Sequence, residues 1–245
     1  MNERYRWKAA FFAAFLFIFG LAATGVFASM NISPVRVNLS ADHDKDIIRI
    51  TNQESSAKSY EVEVVGWTQT DERREVYTPT EDVLAVPPLF SLNPGEEQII
   101  RVGLLTDTES SIERSYRLFI TEIAPPEPQE TRNTGVNMRL QIGVPVFVAP
   151  TGLPSASLKY VETTMIADQT YIRFENTGNS HVKVTEIQYS GPGIDEDTKT
   201  AAVAYILAGK SALLPIDLPN GRQVGTIRIV TENLGVMEYE LPFVQ

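Results

Sequence analysis

Apolar and polar residues alternate with a period of two along most of the chain from residue 30 onward. Tyr60, Val62 and Val64, for example, are separated by Glu61 and Glu63. No segment keeps apolar residues at the spacing of an amphipathic helix over a dozen residues. Because successive side chains of a strand point to opposite faces, this pattern predicts strands with one buried and one solvated face. The sequence therefore predicts an all-β fold.

The first half of the chain contains a series of predicted strands separated by turn sequences such as Asn93-Pro94-Gly95. These strands are Asn31–Leu39, Asp46–Asn52, Ser59–Gln69, Val83–Leu92, Glu97–Leu104, Ser115–Ile123 and Val136–Val148. Seven short strands over about 120 residues are typical of an immunoglobulin-like β-sandwich. We therefore expect one sandwich domain at residues 29–149.

A second set of alternating segments follows residues 149–154, where proline and glycine interrupt the pattern. The predicted strands there are Ala156–Thr163, Thr170–Asn176, His181–Tyr189, Ala201–Leu207, Ser211–Ile216, Gly225–Thr231 and Val236–Val244. They predict a second, smaller sandwich at residues 150–245. No internal sequence repeat is strong enough to indicate duplication.

The N-terminus has the organisation of a secretory signal peptide. Three basic residues precede an apolar run, Ala9–Ala23, which is shorter than the ~20 residues of a membrane-spanning helix. Small residues before Ser29 fit cleavage after Ala28. We therefore expect residues 1–28 to be removed during export, leaving a chain with no segment inserted in a membrane.

Composition removes several classes of function. The chain has no cysteine and two histidines, so it has no thiol nucleophile and no cysteine ligands for a metal. Its formal net charge of −10 disfavours nucleic acid as a partner, because proteins that bind nucleic acid usually carry a basic surface. The acidic residues around His43 and those at 195–197 fit solvated turns better than metal sites. We expect no enzyme activity, no metal and no cofactor.

The strand predicted at Val136–Val148 is unusual in its length. Val136, Met138, Leu140 and Ile142 point to one face, and mainly polar residues alternate with them. Most strands are about five or six residues long, so part of this strand can extend past its own sheet. An apolar row on an edge strand invites pairing with another chain. The segment therefore predicts addition of a strand to a partner protein.

Several segments in a fixed order carry a resemblance to a known family. They are Ile32-Ser33-Pro34-Val35-Arg36-Val37, Pro87–Val102, Glu113–Ile123, Pro145-Val146-Phe147-Val148-Ala149-Pro150 and Glu175–Val182. Their order and spacing, behind a signal peptide on a chain of two sandwiches, resemble the PapD-like periplasmic pilus-assembly (fimbrial) chaperones. The resemblance extends from about Asn31 to the C-terminus.

The resemblance implies two immunoglobulin-like sandwiches in a boomerang arrangement and a periplasmic, non-enzymatic chaperone. Such chaperones bind pilus subunits that lack their last strand, lend them a donor strand, and deliver them to an outer-membrane usher. By the match, the donated side chains are Val136, Met138, Leu140 and Ile142. Strand pairing and apolar burial supply the binding energy, so no reactive side chain is required.

Members of the family hold the terminal carboxylate of the subunit with an arginine in the first strand and a lysine in the long strand. Arg36 matches the arginine, and a guanidinium is well suited to a carboxylate. The lysine position falls on Pro145, which carries no charge; this departure makes the chain similar to the archaic branch. Arg101, Arg117 and Arg139 are alternative sources of the second cation, and the sequence does not choose among them.

Trp67 in the third predicted strand is expected to pack in the core. The alternative function is a secreted structural or adhesive surface protein made of two sandwiches. A chaperone is favoured because pilus subunits usually need an N-terminal donor extension, whereas here a predicted strand follows the cleavage site at once.

Overall fold

The computed structural model of the 245-residue chain describes residues 30–70, 74–106, 109–123, 139–167, 169–191, 199–216 and 225–240. All regular elements in these ranges are β-strands, which confirms the predicted all-β class. In the same ranges, no helix is long and apolar enough to cross a bilayer. The predicted signal peptide, residues 1–28, lies outside the described residues.

The first sandwich contains two sheets formed by ten strands. The strands are β1 (Met30–Ser33), β2 (Val37–Leu39), β3 (Lys45–Asn52), β4 (Lys58–Gln69), β5 (Glu75–Pro79), β6 (Val83–Val86), β7 (Leu89–Leu92), β8 (Glu97–Leu104), β9 (Arg114–Ile123) and β10 (Gln141–Val148). One sheet has the order β1-β3-β8-β6. The other has the order β2-β10-β9-β4-β5, with β7 also paired to β4.

Two strands predicted as continuous are each divided between the two sheets. The predicted strand Asn31–Leu39 is β1 and β2, which flank Pro34, and Val83–Leu92 is β6 and β7, which flank Pro87 and Pro88. Both predictions were wrong in this respect, because proline lacks the N–H that would continue a strand ladder. Strand β5, whose residues are all exposed, was missed because its burial does not alternate.

The core of the first sandwich lies between its two sheets. Ile48 and Ile50 of β3 and Ile100 of β8 face Leu118 and Ile120 of β9, and all five side chains are fully buried. Isoleucine and the other β-branched residues pack well on a pleated surface. The alternation read from the sequence therefore corresponds to one core face and one solvated face in each sheet.

The second sandwich has seven strands in two sheets. They are β11 (Leu158–Ile166), β12 (Gln169–Asn176), β13 (Val182–Ser190), β14 (Lys199–Ile206), β15 (Ser211–Ile216), β16 (Thr226–Thr231) and β17 (Gly235–Glu240). The sheet orders are β11-β12-β15 and β14-β13-β16-β17. Its core includes Ile172, Phe174, Ile187, Leu214 and Ile229, all fully buried.

A buried asparagine closes one end of the first sandwich. Asn52, the last residue of β3, is fully buried. Its Nδ2 donates to the carbonyls of Ser56 at 2.8 Å and Leu92 at 3.1 Å, and its Oδ1 accepts from the Glu54 N–H at 2.9 Å. The Gly95 N–H donates to the Asn52 carbonyl at 2.8 Å, and Gly95 has a φ of +76°, a conformation that favours glycine.

The second sandwich repeats this arrangement at Asn176, the last residue of β12, which is also fully buried. Asn176 Nδ2 donates to the carbonyls of Ser180 at 2.8 Å and Ile206 at 3.0 Å, and its Oδ1 accepts from the Gly178 N–H at 3.0 Å. The Gly209 N–H donates to the Asn176 carbonyl at 3.0 Å, with a φ of +66°. The two domains therefore share a local structural repeat, although their sequences show no clear internal repeat.

We expect Asn176→Ala to lower the free energy of unfolding of the second domain by about 2–4 kcal/mol, because it leaves buried carbonyls and an N–H without partners. Urea unfolding followed by circular dichroism measures this loss. Asn31→Ala, at an exposed position of β1, is the matched control. Equal stability losses in the two variants would show that the hydrogen bonds of the Asn176 side chain do not stabilise the second domain.

Candidate functional site

Strand β10 is paired unevenly along its two edges. On one edge, β9 pairs with it from Gln141 to Val148. On the other edge, β2 pairs with it in parallel, at Val146–Val148. Within the described part of the chain, no strand pairs with Gln141–Pro145 on that second edge, which we call the free edge of β10. An unpaired edge is a template for a strand from another chain.

A hydrogen bond fixes which backbone groups face the free edge. The Glu122 N–H donates to the Leu140 carbonyl, across to β9, at 2.8 Å. In an antiparallel pair, alternate residues direct both backbone groups to the partner strand. The N–H and C=O groups of Gln141 and Gly143 therefore point away from β9, to the free edge. Pro145 presents a carbonyl there because it has no N–H.

The apolar row on β10 continues the core of the first sandwich. Val144 is buried in that core, and Leu140 and Ile142, on the same face, are partly buried against it. The row therefore passes from the interior of the sandwich to a partly exposed position beside the free edge. Val136 and Met138, the other two predicted donor residues, lie outside the described residues.

Arg36 lies in a cleft between the two sandwiches, immediately before β2. The cleft is an open cavity of about 540 Å³. Its walls include Arg36 and Asn38 from the first domain, and His181, Lys183 and Glu232 from the second. Because β2 and the free edge lie along the same side of β10, Arg36 stands where the free edge ends.

Two cations from different domains converge on one carboxylate in this cleft. Arg36 Nη1 lies 2.7 Å from Glu232 Oε1, and Lys183 Nζ lies 2.7 Å from Glu232 Oε2. Glu232 follows β16, and its N–H donates to the Lys183 carbonyl at 2.9 Å. Glu232 is thereby held beside Lys183 and forms an ion pair with Arg36 across the cleft.

The charges in this cluster affect one another. Hydrogen bonds from Lys183 and then Arg36 hold the pKa of the Glu232 carboxyl below its usual value. Burial lowers the pKa of the Arg36 guanidinium, but hydrogen bonding and attraction to Glu232 outweigh it, so that pKa is raised. Since the pKa of Glu232 is depressed, these ion pairs are present at neutral pH and are lost as the pH falls through that lowered value.

Arg117, one candidate for the second cation, is engaged within the first sandwich. It lies on β9 directly opposite Pro145. Its guanidinium carbon is 3.8 Å from the centroid of the Trp67 ring, and its Nη2 is 3.2 Å from Glu75 Oε1. The side chain therefore covers the face of the sheet that carries Gly143, where an added Cβ would lie 3.0 Å from Arg117 Cδ.

The other two candidate arginines lie at different places. Arg101 is an exposed residue of β8, in the sheet that does not contain β10. Arg139 is exposed and precedes β10, at the far end of the free edge from Arg36. Pro145, at the family's lysine position, is buried in β10. Lys183, which the sequence interpretation did not consider, shares an ion-pair partner with Arg36.

An aromatic cluster joins the domains beside the cleft. Trp67 and Phe147 of the first domain pack against Leu207 of the second, with Tyr205 partly buried against them. The His181 ring stacks on Phe147 at a centroid distance of 3.7 Å. Trp67 is buried, as predicted, but it packs in the contact between the domains rather than in the core of its own sandwich.

Polar contacts reinforce this junction. The buried Gln69 donates from Nε2 to the Tyr205 carbonyl at 2.8 Å and accepts from the Leu207 N–H at 3.0 Å. Glu113 Oε1 lies 2.8 Å from His181 Nδ1 and accepts from the His181 N–H at 3.0 Å. These contacts fix the position of Lys183 and Glu232 relative to Arg36.

The site has an unpaired strand edge and two cations, groups that are able to pair with a strand and to bind a carboxylate. The described residues contain no group of three or more acidic or histidine side chains placed to hold a metal ion. His181 and Glu113 are committed to the junction between the domains. The free edge offers main-chain donors and acceptors, Leu140 and Ile142 offer apolar surface, and the cleft offers two cations.

A family model described as the pili and flagellar-assembly chaperone, PapD N-terminal domain, matches residues 29–154. Among curated proteins, no relative matches the chain. Solved structures of pilus chaperones match it over most of their length, at low sequence identity, and these likenesses show the fold.

One such structure is the CsuC–CsuE chaperone–tip adhesion subunit pre-assembly complex from the archaic chaperone–usher Csu pili of Acinetobacter baumannii. The match has 18% identity and a TM-score of 0.65, and covers 86% of this chain and 98% of that one. The complex of the Salmonella enterica SafA pilin with the SafB chaperone matches with 18% identity and a TM-score of 0.60, covering 89% and 99%.

The E. coli chaperone DraB matches with 15% identity and a TM-score of 0.56, covering 87% of this chain and 98% of its own. All three agree with the two-sandwich architecture described above. The family model spans just over half of the 245 residues. The chain therefore belongs to the pili and flagellar-assembly chaperone family defined by the PapD N-terminal domain.

Proposed function

We propose that this protein is a periplasmic chaperone that holds a pilus subunit by donor-strand complementation and delivers it to an outer-membrane usher. The observation that carries the proposal is the free edge of β10 together with the apolar row of Leu140 and Ile142. A subunit that lacks its last strand has an open edge and an open core. Strand β10 supplies hydrogen-bonding groups to the first and apolar side chains to the second.

The direction of the added strand follows from β2 and Arg36. A subunit strand on the free edge lies end to end with β2, which runs parallel to β10. If the subunit strand is also parallel to β10, its C-terminus meets Arg36 at the start of β2. A guanidinium matches the geometry of a terminal carboxylate, so Arg36 favours this direction.

Burial of the apolar row supplies much of the binding energy. Full burial of Leu140 and Ile142 in the subunit stabilises the complex by about 3–6 kcal/mol before ordering costs. Val136 and Met138 extend the same row in the sequence. Each added main-chain hydrogen bond contributes about 0.5–1.5 kcal/mol. Binding of this kind uses no nucleotide and no covalent chemistry.

Location in the periplasm rests on the signal peptide predicted at residues 1–28. The structures of family members in complex with a pilin or a tip subunit support a pilus subunit as the partner. The usher is proposed from the family alone. The proposed role is non-enzymatic, in agreement with the chaperone family to which the chain belongs.

Periplasmic co-expression with candidate pilus subunits from the same organism tests the function. We expect a subunit to be degraded or aggregated when expressed alone and to be recovered with the affinity-tagged chain in equal amounts when co-expressed. Subunit levels that do not depend on the chain would contradict the proposal. Recovery of the chain on the cell surface would instead support the structural or adhesive alternative.

A further inference from the structure

Glu232 occupies a position that fits the terminal carboxylate of a bound subunit. Each of its two oxygens meets one cation at 2.7 Å, Arg36 from the first domain and Lys183 from the second. The three side chains are 29%, 25% and 38% exposed for Arg36, Lys183 and Glu232, so solvent and ligands reach them. Ion pairs this exposed are weak and exchange readily.

Glu232 leaves part of the Arg36 guanidinium unused. Arg36 Nε is buried and has no hydrogen-bond partner among the described residues. If the Arg36 side chain turns to uncover Nε, a carboxylate that approaches from the free edge could take Nε together with an Nη group, the two-pronged geometry that arginine prefers. A buried donor without a partner costs free energy, so a ligand that satisfies it gains affinity.

The charge balance of the cluster also favours an incoming anion. Arg36 and Lys183 carry two positive charges against the single negative charge of Glu232. The nearby Glu113 is already engaged with His181. Strand β10 offers no cation at Pro145, whereas β13 holds Lys183 in place, with its Nζ 5.8 Å from the Tyr205 ring centroid.

We propose that Lys183, from the second domain, is the second cation of the carboxylate anchor, and that Glu232 is an internal carboxylate which the terminal carboxylate of the subunit displaces. This inference rests on the proposed function and deepens it. In the free chaperone, Glu232 compensates one of the two positive charges of the anchor and links the two domains. In the complex, the subunit carboxylate bridges Arg36 and Lys183, and the subunit strand itself links the domains.

The test measures how fast a subunit leaves the purified complex after dilution. We expect Lys183→Met to speed dissociation about tenfold, because it removes a charge-assisted hydrogen bond. Lys183→Arg keeps the positive charge, so its complex should dissociate at a rate within a few-fold of the wild-type rate. Glu232→Gln slows dissociation several-fold, because the internal competitor is gone. Lys159→Met, at an exposed position of β11, leaves the rate unchanged.

A subunit with two extra C-terminal residues provides an independent measurement if Lys183→Met folds poorly. The extension moves the carboxylate away from the anchor. The extended subunit should therefore dissociate about tenfold faster than the native subunit, both from the wild-type chain and from Lys183→Arg. Equal rates for the native and the extended subunit would overturn the inference. Dissociation that is faster in Glu232→Gln would also overturn it, because Glu232 would then support the anchor.

Failure of this inference is distinguishable from failure of the proposed function. If the wild-type chain recovers no subunit, the function itself is wrong. If the wild type forms a complex that requires Leu140 but dissociates at the same rate as the Lys183→Met complex, strand donation holds and the second cation lies elsewhere.

Discussion

Leu140→Asp is expected to reduce recovery of the subunit in periplasmic co-expression to less than about one hundredth of the wild-type level. Under the proposed function, the Leu140 side chain enters the open core of the subunit. An aspartate there loses the apolar burial and places a carboxylate among apolar side chains, at a cost of several kcal/mol. That cost corresponds to more than a hundredfold in affinity.

The matched control for this variant is Gln141→Asp. Gln141 is the next residue and the first of β10, but its side chain points to the opposite, solvated face. Gln141→Asp introduces the same charge one position away and should leave recovery of the subunit within a few-fold of the wild-type level. Thermal unfolding of both purified variants checks that the chain is folded, because Leu140 also packs against the first sandwich. Equal recovery with the two variants would contradict strand donation by the apolar row.

Arg36→Ala is expected to weaken subunit binding about tenfold to hundredfold. The guanidinium stands at the point where the free edge meets β2. Under the proposed function, its loss leaves the terminal carboxylate of the subunit without its main partner. Charge-assisted hydrogen bonds of this kind contribute about 1.5–3 kcal/mol. The equilibrium dissociation constant, measured by titration of the purified chaperone with a refolded subunit, gives the effect.

Arg49→Ala is the control for the removal of an arginine from the first sandwich. Arg49 lies on β3, in the other sheet, and forms an exposed ion pair with Glu97 at 3.2 Å. An exposed pair contributes about 0.2–1 kcal/mol, so we expect no measurable change in subunit affinity. A loss of affinity at Arg36 no greater than at Arg49 would show that the cleft does not bind the carboxylate.

The strand pattern could be predicted where local alternation decides it. Strands β8 and β15 match their predicted bounds, Glu97–Leu104 and Ser211–Ile216, because segments rich in polar residues, glycine or proline bound each of them in the sequence. The change of sheet at Pro34 could not be predicted in the same way. Apolar residues change there from even positions, Met30 and Ile32, to odd positions, Val37 and Leu39. This shift does not show which strand each part pairs with, because that depends on β3 and β10.

The candidate site, too, could be predicted from the sequence only where local pattern indicates it. Arg36, between β1 and β2, and the apolar row at the start of β10 each lie within a short stretch of sequence, so the local pattern and the family resemblance indicated them as candidates. Lys183 and Glu232 come from the second domain, and nothing local in the sequence relates them to Arg36. Their proximity follows from the junction formed by Gln69 and the aromatic cluster, which only the folded chain brings together.

Hydrogen–deuterium exchange at the free edge tests the central claim most directly. The N–H groups of Gln141 and Gly143 point away from β9, whereas those of Ile142 and Val144 bond to it. In the free chaperone we predict fast exchange at Gln141 and Gly143 and slow exchange at Ile142 and Val144. On subunit binding, Gln141 and Gly143 should become protected by about a hundredfold or more, because a new strand accepts their hydrogen bonds. Unchanged exchange at both residues in a stable complex would show that the subunit does not pair with β10.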